Sequence, residues 1–179
     1  MIEAEKKLAG AGGAKPAAAA GGVVKAGSHL KKPEDITGFV EFPAGTKSLL
    51  SKYLTKDVFA KYHGKKDKAG VSFEQMILSG AQNVDSGIGL YAGSNDSYTT
   101  FCDLFDKVIE DYHQHPKAAK HVSNMDFKQL SCPPFTADEA AMIISTRIRV
   151  GRNLADFPLG PGINKAQRDQ VEKLVSTAL

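Results

Sequence analysis

Two stretches of this 179-residue chain carry side chains whose types and spacing suit chemistry. The first is 140–152, reading AAMIISTRIRVGR. With side chains alternating as on a β-strand, Met142, Ile144, Thr146, Ile148 and Val150 fall on one face and Ile143, Ser145, Arg147 and Arg149 on the other. One face suits a core, and the other offers two guanidinium groups two residues apart. A guanidinium keeps its charge and presents a planar fork of donors that matches phosphate oxygens, so the pair can grip a polyphosphate. The same pattern also describes an edge strand whose arginines block further pairing and stay hydrated.

The second stretch is the loop 83–98, NVDSGIGLYAGSNDSY, in which Ser86, Gly87, Ile88 and Gly89 precede Tyr91. Glycines on either side of one apolar residue let the backbone come close to a ligand, and a nearby tyrosine adds a ring and a hydroxyl. A G-x-G pair alone is a weak signal, and an ordinary loop fits it equally.

Helices must hold this loop. Leu49, Leu50, Tyr53 and Leu54 form an apolar stripe, after which Thr55 offers an N-cap for a turn carrying Val58, Phe59 and Tyr62. Ser72 and Gln75 suit a capping box ahead of Phe73, Met76 and Ile77, with Gly80 placed as a C-cap. Tyr98, Phe101, Leu104, Phe105, Val108, Ile109 and Tyr112 recur at three- and four-residue steps and predict one longer helix. The run 113–134 has three prolines and no period, which reads as a linker whose histidines 113, 115 and 121 are solvated. After the turn-rich FPLGPG at 157–162, Asn164 caps a final helix with Val171, Leu174, Val175 and Ala178 on one face. The predicted fold class is mainly α: a small all-helical domain, then the first strand and helix of an α/β domain. One strand and one helix cannot close a sheet, so that domain is expected to be truncated.

The resulting division is a flexible Ala/Gly/Lys-rich tail at 1–40, a helical domain at 41–115, a linker at 116–138 and the start of a second domain at 139–179. Residues 1–33 hold six lysines and two acids, a surplus of +4 that leaves −1 for the remainder of a chain whose net charge is +3. A nearly neutral body argues against general attraction to nucleic acid. No apolar run approaches the roughly 20 residues of a membrane span. Cys102 and Cys132 make no disulfide framework and suit a reducing, cytoplasmic setting.

The two stretches occur within a longer ordered set of matches. LTKDVF at 54–59, SGAQNVDSGIGLYA at 79–92, Ser97-Tyr98 with Phe101, LFD at 104–106, EDYH at 110–113, and IISTRIR at 143–149 with Gly151-Arg152 together resemble the phosphagen kinases, the ATP:guanidino phosphotransferases, of the arginine kinase type. The resemblance implies a helical N-terminal domain with a specificity loop and a larger α/β domain that binds ATP/ADP with Mg2+. It implies that Ser86, Gly87, Ile88, Gly89 and Tyr91 line the pocket for the amino-acid end of a guanidino substrate. Ser145, Arg147 and Arg149 are implied to hold the nucleotide phosphates, a cofactor role.

The loop is short, as in arginine kinases, so arginine is the favoured substrate, with taurocyamine or another guanidine as alternatives. The implied reaction is in-line transfer of the γ-phosphoryl group, in which the protein aligns reactants and neutralises spreading charge. The family's orienting carboxylate and reactive cysteine belong to the large domain downstream, so no catalytic residue and no metal ligand is expected in 1–179. The chain alone is expected to be inactive, and a monomer is favoured. A non-catalytic module derived from the same helical domain is the alternative from another class.

Overall fold

The computed structural model describes residues 22–178 apart from 130 and 132. Residues 1–21 of the tail expected at 1–40, and Cys132, lie outside the described residues. Among the described residues seven helices dominate, which matches the expected mainly-α class: α1 (Leu49–Tyr53), α2 (Lys56–Tyr62), α3 (Phe73–Gln82), α4 (Ser97–Thr100), α5 (Cys102–His113), α6 (Ala137–Ala141) and α7 (Lys165–Ala178).

Local chemistry sets the helix starts. Ser48, Thr55 and Ser72 each accept the amide three residues on, at 3.1, 3.3 and 3.2 Å, and so satisfy an orphan donor of α1, α2 and α3. Asn164 and Gln167 exchange side-chain and backbone bonds at 2.9 and 3.0 Å ahead of α7. Behind the caps, Phe59, Phe73 and Phe101 are fully buried. Ring centroids stand 6.2 Å apart for Phe59–Phe73, 5.4 Å for Phe73–Phe101 and 5.2 Å for Tyr62–Phe101, within the favourable range for aromatic pairs.

Several expectations are corrected. Residues 22–40 do not behave as tail: β1 (Val23–Lys25) and β2 (Phe39–Glu41) pair in parallel, and Leu30, Ile36 and Val40 are buried in the core. The intervening residues supply the crossover that a parallel pair requires, with Gly27 N donating to Ala81 O at 2.8 Å and Gln82 Nε2 to Leu30 O at 2.9 Å. The helical domain is therefore not all-helical.

The predicted helix at 98–112 is broken at Phe101, whose backbone (φ −113°, ψ 34°) leaves helical geometry, and Tyr98 and Tyr112 end up exposed. Gly80 is not a C-cap, because α3 runs past it to Gln82.

The strand expected at 140–152 is absent as well. The chain leaves α6 and continues through 142–150 without a regular element, with Ile144 97% and Ile148 89% exposed. A strand exists only through its pairing, and among the described residues no sheet edge meets this one.

Further on the chain returns to the helical body. Leu159 packs against the core and donates its amide to Gly93 O at 2.9 Å, and Gln75 Nε2 donates to Pro161 O. The Gln75 side chain that would close a reciprocal capping box is thus diverted to this strap.

Candidate functional site

The loop after α3 is pinned on three sides. Asn83 stops the helix, its amide and its side-chain nitrogen both donating to Ser79 O at 2.9 Å. Gly87 O and Ile88 O then accept the amides of Leu49 and Leu50 at 3.0 and 2.9 Å. Those two amides are orphan donors of the first turn of α1, so the loop completes that helix and α1 anchors the loop. Tyr91 N donates to Met76 O at 3.1 Å and ties the far end to α3.

Between these ties, Gly89 adopts φ +78° and lies directly on Gly80. A Cβ on Gly80 would stand 2.1 Å from Gly89 O and 2.5 Å from its Cα, so α3 and the loop touch backbone to backbone.

With the carbonyls of Gly87 and Ile88 committed inward, the amides of Gly87, Ile88 and Gly89 donate to no backbone group among the described residues. Successive unpaired amides suit an anionic group such as a carboxylate. Beside them Ser86 and Ile88 are half-buried, and Tyr91 is 46% exposed.

Tyr91 stands between two clefts. One, of about 210 Å³, is lined by Ile88, Tyr91, Tyr98, Phe105, Ile109 and Tyr112 among others, with Tyr98 edge-on to Phe105 at 5.1 Å. The other, of about 460 Å³, lies between Tyr91, Leu78, Gln82 and Pro33 on the helical body and Gly160 and Pro161 of the strap.

A buried carboxylate stabilises the loop's exit. Asp67 Oδ2 accepts from Ser97 Oγ at 2.6 Å and Ser94 Oγ at 2.7 Å, and Oδ1 accepts from Val71 N at 2.9 Å. Burial pushes this carboxyl up, but the two hydroxyls and the amides of Val71 and Ala69 outweigh it and hold the group below its ordinary value. Ser97 Oγ in turn accepts from Gly93 N at 3.1 Å, and Gly93 O receives the strap. Gly162 packs so tightly here that a Cβ would fall 2.6 Å from Gly93 O.

Ser145, Arg147 and Arg149 are elsewhere. They lie exposed in the element-free 142–150 stretch, and neither arginine enters an ion pair among the described residues. The structure therefore brings together Ser86, Gly87, Ile88, Gly89 and Tyr91, and no described hydrogen bond or cleft joins them to Ser145, Arg147 or Arg149.

The sequence reading missed the contact role of Gly80, Asp67, the strap and the wall formed by Pro33. The strap had a signal in the clustered prolines and glycines of 157–162, whereas the contact of Gly80 with Gly89 had none.

A loop of this form on a helical domain has relatives. Residues 44–110 match the model of the ATP:guanido phosphotransferase N-terminal domain. The arginine kinase of Eriocheir sinensis is 42% identical over 144 residues, covering 79% of this chain and 40% of that protein. The arginine kinase of Penaeus japonicus is 41% identical over the same share of this chain and 41% of its own length.

Residues 44–110 of the chain form an ATP:guanido phosphotransferase N-terminal domain.

The chain spans about 40% of the length of the curated phosphagen kinases it matches. The substrate-free duplicated taurocyamine kinase of Schistosoma mansoni superposes with a TM-score of 0.60 at 34% identity, covering 76% of this chain and 20% of that one. A lombricine kinase structure shares the fold, with a TM-score of 0.54 at 23% identity, over 76% of this chain and 37% of that one. The loop at 86–91 falls inside the matched segment 44–110, and residues 22–43 lie before it.

Proposed function

We propose that this chain forms the guanidino-substrate side of an ATP-dependent phosphotransferase, with arginine as the favoured acceptor and cytoplasmic energy buffering as its use. The observation that carries the proposal is the anchored loop. Its carbonyls at Gly87 and Ile88 are bound to α1, its amides from Gly87 to Gly89 have no backbone partner among the described residues, and Tyr91 stands beside them. Unpaired amides suit the carboxylate of an amino acid, and Tyr91, which shares a cleft with Ile88, adds a hydroxyl and a ring face. Ser86 completes the rim.

Arg147 and Arg149, with Ser145, are the residues proposed to hold the phosphates of ATP or ADP. Their donor set fits, since guanidinium forks and a hydroxyl match phosphate oxygens and neither arginine is committed to an acid among the described residues. Among those residues no three His, Cys, Asp or Glu side chains converge on a metal position. The nucleotide supplies the transferable phosphoryl group. The work of this chain is to orient the guanidinium and to place positive charge against the phosphates.

The domain division that accompanies the proposal keeps a substrate domain to residue 115, a linker at 116–138 and the nucleotide-side segment at 139–179, in a monomer. No helix among the described residues is long and apolar enough to cross a membrane.

Titration of the 15N-labelled chain with L-arginine tests the reading. Saturable shifts at the Gly87, Ile88 and Gly89 amides are expected, without phosphoryl transfer by this chain alone; their absence overturns it. The likeness to a taurocyamine kinase structure favours one competing substrate. Tighter binding of taurocyamine than of arginine at the same amides would reassign the acceptor.

A further inference from the structure

A further cleft beside α3 is separate from the loop site. It encloses about 510 Å³ between residues 33–37 and the turn from α2 to α3, with walls that include Pro33, Glu34, His63, Lys66 and Gln75. Residues 33–37 precede the family-matched segment 44–110, so this cleft depends on chain outside the part shared with the family model. Pro33 and Gln75 also line the cleft beside Tyr91, which makes the two cavities neighbours.

Glu74 lines the cleft, and its side chain is only 8% exposed. Both of its hydrogen bonds among the described residues end on one oxygen: Oε1 accepts from Gly64 N at 2.8 Å and faces His63 Nδ1 at 2.8 Å. The His63 ring is fixed by stacking on Phe59 at 4.9 Å between centroids. Oε2 is left without a partner. No side-chain oxygen sealed in the interior lacks a partner among the described residues, so Oε2 is not sealed and meets the cleft. In a recess whose walls also carry Glu34 and Lys66, an accessible carboxylate oxygen suits a donor carrying positive charge.

We propose that this cleft is a second ligand site, for a small cationic amine or guanidine that donates to Glu74 Oε2. It is separate from the loop that takes the amino-acid end of the phosphotransferase substrate. Its ligand is recognised by nitrogen donors and needs no carboxylate.

Agmatine is the probe, since it carries an amine and a guanidinium and lacks a carboxylate. Added to the 15N-labelled chain, it should shift the Gly64 amide and the His63 ring saturably. Glu74→Gln keeps an oxygen for Gly64 and His63 but replaces the second acceptor with a donor, and should weaken agmatine about tenfold or more. Thr37→Trp, at an exposed rim position that does not touch the Glu74 bonds, should block entry and decides the matter where Glu74→Gln melts early. Arginine shifts at Gly87 and Ile88 should persist in both variants. No saturable shift at Gly64 and His63, or parental affinity in both variants, overturns the second site. Loss of arginine binding with agmatine binding intact would strike the loop reading and leave this one standing.

Discussion

Gly80→Ala sets helix propensity against the close approach of α3 and the loop. Propensity favours alanine over glycine inside a helix by about 1 kcal/mol. The structure predicts the opposite sign. The added Cβ would sit 2.1 Å from Gly89 O, and ordinary contact begins at 3.4 Å, so two stretches of backbone must part by the difference. A movement of that size lengthens the bonds from Leu49 and Leu50 to Gly87 and Ile88, now 3.0 and 2.9 Å, beyond hydrogen-bonding range. Two bonds at about 1 kcal/mol each and about 1–3 kcal/mol of packing strain, less the propensity gain, leave a net loss of about 2–4 kcal/mol. For a chain of this size that lowers the melting temperature by roughly 4–16 °C. Circular-dichroism melts read the stability, and the Gly87 and Ile88 amide resonances read the loop. Gly87→Ala is the control, because nothing lies within 4 Å of a Cβ there. A Gly80→Ala protein that melts above the parent with unshifted loop amides would refute the account of how the loop is held.

Two further outcomes follow from the core and its buried acid. Ile36→Ala should cost about 2–4 kcal/mol in a urea titration, because Ile36 is 1% exposed; a cost near zero would show that residues 22–41 are dispensable. The lowered Asp67 carboxyl and Asp96, held at about 2 by Lys68 and Thr100, contribute stability that is fully present above about pH 4 and is lost as pH falls toward 2. The urea midpoint should fall across that window in the parent and less steeply in Asp67→Asn; equal slopes would refute the role of the Asp67 network.

Much of the helical body was legible in the sequence because it rests on local rules. Thr55 and Ser72 announce their helices through hydroxyls placed just before apolar periods, and the structure uses both. What escaped depends on partners distant in sequence. The strands at Val23–Lys25 and Phe39–Glu41 are three residues each, too short to show alternation, and Leu30 and Ile36 follow no helical or strand period although both reach the core. Gly80 was legible as a helix breaker, while its actual use, admitting Gly89, appears only once the loop folds back.

The alternation over 142–150 had the form of a strand and lacked an edge to join. In the loop at 86–91 the residues were legible as a group, since glycine spacing and a tyrosine are local features. The commitment of the Gly87 and Ile88 carbonyls to α1 depends on that helix and could not be read from the loop.

The strap makes 142–150 part of a closed tether. Leu159 is bonded to Gly93, only two residues from Tyr91, and Arg147 lies twelve residues before Leu159. Twelve residues span at most about 40 Å even when fully extended. Arg147 is therefore confined to a volume around the loop at 86–91 that corresponds to an effective concentration on the order of millimolar. A phosphate carried by that arginine would meet the loop as a neighbour on the same chain and not as a solute, and undocking the strap would give up that advantage without altering a single contacting residue.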